Sequence, residues 1–143
     1  MPSPLDKVQL RHMRLGWLSL AVYASLGVVL EALHAFKVAT YLQAAAEPRR
    51  LAFTLAHAHG VGLGLLNVLF ALSLPVLFTQ GSRTLRLASA LLATATVLIP
   101  AGFLLGGAVT YDGDPGVGVL LVPLGAPLLL LALLLLSRQS WRG

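Results

Sequence analysis

Four residues stand out for their chemistry: Glu31, His34, His57 and His59, each embedded in a long apolar run. Ionisable groups in such runs are costly and are functional candidates by default. Imidazole ligates haem iron and transition metals, and a carboxylate can ligate a metal or carry a proton. Glu31-x-x-His34 sets a carboxylate and an imidazole one helical turn apart. His57-Ala58-His59 sets two imidazoles ~200° apart around a helix, so only one of them can face a given centre. The other is expected to support it or to hydrogen-bond between helices.

Helical spacing extends the pattern. Tyr23, Gly27, Glu31, His34 and Tyr41 step by four, four, three and seven along one stripe. His57, Gly60 and Gly64 share a face, with Asn67 one turn deeper. Gly60 and Gly64 form a small-xxx-small pair, which permits close helix approach or leaves room for a flat ligand.

Three readings follow. In the first, His34 and one of His57 or His59 supply the axial ligands of a haem b from two helices. Gly60 and Gly64 accept the macrocycle, and Lys37, Arg49 or Arg50 pairs with the propionates. In the second, Glu31, His34 and His57 or His59 hold a zinc or copper ion. A di-iron site is excluded, because it needs a second Glu-x-x-His and two further glutamates. In the third, there is no cofactor: Glu31 pairs with Lys37 or His34 and the histidines tie helices together. Asp112 and Asp114 read as turn-formers, and His12 as a solvated residue of the basic N-terminal segment. Met1 and Met13 are too few and badly placed for copper.

The elements that must position these groups are membrane helices. The chain has 143 residues, 57% hydrophobic and 10% charged, with mean hydropathy +0.86. A soluble domain of this size carries about 25% charged residues, so lipid is expected to cover this surface. Four spans are expected, at 15–36, 51–78, 87–111 and 117–136, each close to or above the ~20 residues needed to cross the hydrocarbon. They make one all-α, four-helix integral membrane bundle over residues 1–143. Period-two alternation is missing, which argues against a barrel. Glu47-Pro48 is expected to end an extension of the first helix. Gly102, Gly106, Pro100, Pro123 and Pro127 mark close packing and bends.

Orientation follows from the basic residues. One side holds Lys7, Arg11, Arg14, Arg83, Arg86, Arg138 and Arg142; the other holds Lys37, Arg49 and Arg50. That asymmetry places both termini in the cytoplasm. It also puts His34, His57 and His59 at similar depth in the outer half of the bilayer. The net charge of +5 sits in clusters beside apolar spans and reads as topology, not nucleic-acid binding. Lys7, Arg11 and Arg14 before an apolar run look like a signal-peptide n-region, but Glu31 and His34 stand where a cleavage site would fall. The chain has no cysteine, which excludes disulfides, thiolate sites and c-type haem attachment.

The run Leu55-Ala56-His57-Ala58-His59-Gly60, with Leu63-Gly64 after it, resembles a His-x-His…Leu-Gly signature. That signature opens the second helix of small membrane proteins related to the catalytic subunit of haem-copper oxidases and nitric oxide reductases. The run Tyr23…Gly27…Glu31…Lys37 is also similar to one family of such proteins. The resemblance covers residues 23–70 and implies haem-type chemistry near His57 or His59. No histidine follows in the third or fourth span, whereas a full haem-copper centre needs several from later helices.

The expectation is therefore a b-type haem- or metal-binding protein of a bacterial inner membrane. It would act in electron transfer, in sensing or as a respiratory-complex subunit, and would not be an enzyme on its own. The alternatives are a non-catalytic interaction subunit of a larger membrane complex and a small transporter using Glu31. Expected partners are the lipid bilayer, other membrane subunits or further copies of the chain.

Overall fold

The computed structural model describes residues 3–78, 81–111 and 114–141. Its long helices are α1 (Pro4–Ala35), α3 (Glu47–Leu77), α4 (Arg83–Ala108) and α5 (Leu121–Ser140), with a short α2 (Ala39–Leu42) after the first. Four helical segments are long and apolar enough to cross a membrane: Pro4–Ala35, Ala44–Leu77, Arg83–Ala108 and Val117–Ser140. Successive long helices pack on one another, α1 on α3, α3 on α4 and α4 on α5.

The ends of these helices have local causes. Ser3 caps α1 in a reciprocal box with Asp6, and Pro4 pre-sets the first turn, so α1 starts well before position 15. At its other end Lys37 takes a left-handed conformation (φ 51). Val38 N–H then reaches back to the Leu33 carbonyl at 3.1 Å, closing the helix. Glu47-Pro48 does not end a helix, as expected from the sequence, but opens α3: proline is tolerated in a first turn, where its missing N–H has no partner to lose. Ser82 caps α4 through the Leu85 N–H at 3.0 Å, which moves its start forward to Arg83.

After α4 the chain forms a two-residue hairpin, β1 (Thr110–Tyr111) with β2 (Asp114–Pro115), where the third span was expected to continue to 111. The turn expected at Asp112-Gly113 lies outside the described residues. Gly116 N–H donates to the Gly106 carbonyl at 2.8 Å and pins the hairpin to α4.

Small residues set the helix spacing. Gly16 of α1 meets the Gly64 carbonyl of α3 so closely that a side chain at either position would have to displace backbone. Gly102 and Gly106, as their sequence suggested, and also Gly125 let α4 approach the segment from Val119 into α5, where a Cβ would press on Val122, Val119 and Ile99 respectively. The largest apolar cluster joins Phe70, Leu74 and Phe78 to Leu85, Leu92 and Ala132. Outward faces carry large apolar side chains such as Val76, Val28, Leu124 and Leu134.

Candidate functional site

Between α1 and α3 lies an open groove of about 440 Å³ lined by Glu31, His34, Tyr41, Thr54 and His57, with Gly27 at its wall; Glu31 and His34 are exposed in it. The sequence placed Tyr41 on a continuous α1 stripe. The left-handed turn at Lys37 breaks that stripe, yet α2 folds Tyr41 back into the same cavity. The Tyr41 ring meets the His34 ring edge-on at 5.0 Å, and the Arg50 guanidinium lies 5.9 Å from its centre.

Each imidazole is oriented by a carbonyl. His57 Nδ1–H donates to Tyr23 O on the facing helix at 2.7 Å. His34 Nδ1–H donates to Leu30 O at 3.1 Å. A carbonyl only accepts, so Nδ1 carries a proton, and in the neutral ring Nε2 keeps its lone pair. Glu31, expected to pair with His34, therefore does not receive the Nδ1 proton of either cavity histidine. The His57 ring fits because Gly27 has no side chain; a Cβ there would run into it. The Tyr41 hydroxyl is buried and has no hydrogen-bond partner among the described residues, in a side chain only 8% exposed. A buried orphan hydroxyl calls for an explanation, and an unplaced ligand is one.

The remaining sequence candidates sit elsewhere. His59 points away from His57, as the ~200° separation requires. Its Nδ1–H goes to Leu55 O at 2.8 Å, and its ring lies 4.9 Å from that of Phe103 on α4. It borders a separate apolar groove with Gly62 and Leu66. The room that Gly60 and Gly64 leave is filled by α1: Tyr23 covers Gly60, and Leu20 and Gly16 cover Gly64. Arg49 bonds Gly107 O and Thr110 Oγ1, while Arg50 bonds Tyr41 O and Gln43 O, so both hold backbone in place. Among the described residues no three His, Cys, Asp or Glu side chains form a group able to hold a metal ion.

One polar cluster escaped the sequence reading. His12, expected to be solvated, is fully buried, with Asn67, Ser89 and Thr96 around it. His12 Nδ1 lies 2.6 Å from Asn67 Oδ1, and Nε2 lies 2.7 Å from Ser89 Oγ. Asn67 Nδ2 donates to Thr96 Oγ1 and Leu63 O, both at 2.7 Å. The available signal was the small and polar stripe His12, Gly16, Ser19, Tyr23, Gly27, on which His12 falls by spacing.

Fold and site together define an all-α chain of four potential membrane-crossing helices with a polar, two-histidine cavity between the first pair. Neither a family model, nor a curated protein, nor a solved structure matches the chain.

Proposed function

We propose that this is a four-span integral membrane protein of a bacterial inner membrane, with both termini cytoplasmic, that binds a b-type haem in the α1/α3 cavity. The observation carrying this reading is that His34 and His57 line one cavity with their Nδ1 protons committed to carbonyls. That is the arrangement in which Nε2 acts as a ligand. Haem needs only one or two protein ligands, whereas a zinc site generally takes three or four. Tyr41 Oη, buried beside the groove, would donate to a propionate, and Arg50 would lend its charge from behind the Tyr41 ring. Bound haem would supply one-electron transfer, as suits a respiratory subunit or a sensor.

A second reading is an interaction subunit of a larger membrane complex. It draws on α5, which buries only 11% of its most apolar window within the chain and turns leucines outward.

The test is the visible spectrum of protein purified from haem-replete cells. A Soret band lost in His57→Ala and weakened in His34→Ala, but kept in His59→Ala, is expected. A colourless protein that also fails to take up added haemin would remove the haem reading.

A further inference from the structure

A second groove, of about 200 Å³, runs between α1 and α4 and is lined by Leu15, Leu18, Val22, Thr96, Val97 and Ala101. These two helices touch little. Arg11 crosses from α1 to hydrogen-bond Ser89 of α4. The walls continue as two stripes of helical spacing. On α1 the stripe reads Lys7, Arg11, Leu15, Leu18, Val22; on α4 it reads Arg86, Ala90, Ala93, Val97, Ala101. Each begins in exposed cations and becomes apolar. Ser89 is three residues from Arg86, so Arg11 and Arg86 belong to the same end of the groove. Asp6, the carboxylate of that end, accepts from the Ser3 N–H of its own helix cap.

We infer that this groove binds an anionic phospholipid, with the phosphate at Lys7, Arg11 and Arg86 and one acyl chain along the cleft. Length supports the assignment. Eleven residues separate Arg11 from Val22 and Arg86 from Val97, ~17 Å of helix. Half the hydrocarbon thickness is ~15 Å, so the apolar wall matches one leaflet. Charge supports it as well: a basic pocket between membrane helices attracts anionic headgroups. The inference rests on membrane insertion and is independent of the haem reading.

Native mass spectrometry of the protein from mixed phosphatidylglycerol and phosphatidylcholine micelles tests it. Wild type is expected to retain phosphatidylglycerol selectively. Lys7→Gln/Arg86→Gln, which leaves the Arg11–Ser89 bond intact, should lower that retention about fivefold per neutralised cation. Ala101→Trp, which fills the cleft, should lower it with the cations unchanged. Equal retention of both lipids overturns the proposal, as does undiminished retention by the double variant. Competition by glycerol 3-phosphate at the same concentration would show a phosphate site without an acyl chain and also overturn it. The Soret band of the same samples reports on the haem reading separately.

Discussion

His12 and Asn67, 55 positions apart in the chain, meet at 2.6 Å in the fully buried space between α1, α3 and α4. Their bond is the middle of a chain with one direction. Arg11 donates to Ser89 Oγ, and Ser89 donates to His12 Nε2. His12 Nδ1–H donates to Asn67 Oδ1, Asn67 Nδ2 to Thr96 Oγ1, and Thr96 to Leu92 O. Asn67 Nδ2 also bonds the Leu63 carbonyl and so must be the nitrogen, which makes His12 Nδ1–H the donor to Oδ1; in the neutral ring Nε2 then accepts from Ser89. With His12 neutral, each hydroxyl, ring nitrogen and amide in this chain has a partner.

Breaking the middle of that chain should cost stability. Asn67→Leu strands the His12 N–H in a buried site, a loss of about 1–3 kcal/mol. A double-mutant cycle of His12→Ala and Asn67→Ala should give a coupling of about 0.6 kcal/mol, and at most about 1.7. Unfolding in detergent measures both. Strictly additive losses would show that the two side chains act independently.

Two glycines of the same type should respond with opposite signs. A Cβ at Gly27 would strike the His57 ring, whereas one at Gly62 meets nothing within 4 Å. Gly27→Ala is expected to destabilise by about 1–3 kcal/mol and to displace His57. Gly62→Ala should stabilise by about 0.5–1 kcal/mol through helix propensity alone. Melting temperatures of the two variants in one detergent decide the matter; equal shifts would mean that Gly27 does not seat the imidazole.

How much of this was legible differs by feature. Four helices could be read from apolar run length, and the separation of His57 from His59 from helical geometry. That His34 and His57 line one groove was legible from antiparallel depth. What failed was local or tertiary. The apolar run begins at position 15, but the Ser3–Asp6 box carries the helix back to Pro4, beyond that span. Glu47-Pro48 reads as a stop because proline ends a preceding helix, but an acidic residue and a proline also suit a first turn, which is where they fall. His12 was misread because its neighbours in sequence, Arg11 and Arg14, are charged and exposed. Burial of a helical residue depends on its stripe and not on the residue beside it.

The proposed orientation can be tested with cysteine, which the native chain lacks. Ser140 and Asp114 are exposed and lie at opposite ends of α5 and the 3-10 turn before it. Ser140→Cys should react with a membrane-impermeant maleimide only after the cells are opened, and Asp114→Cys in intact spheroplasts. Reaction of both from one side would refute a membrane-crossing final helix.

Tyr41 offers a test in which structural and ligand-binding roles predict opposite signs. Its hydroxyl is buried without a partner among the described residues, while its ring packs 5.0 Å from His34 and 5.9 Å from Arg50. Tyr41→Phe keeps the ring and deletes the orphan group. Leaving a polar group buried and unbonded costs about 1–3 kcal/mol, so protein prepared without ligand should become more stable by up to that amount. If the hydroxyl donates to a haem propionate, the same change removes a hydrogen bond of about 0.5–1.5 kcal/mol and weakens haemin binding about 2- to 10-fold. Thermal melts and a Soret titration on one variant read both quantities. A raised melting temperature with weakened haemin binding supports the cavity as the ligand site. A lowered melting temperature with unchanged binding would reduce Tyr41 to a packing residue and detach it from the site.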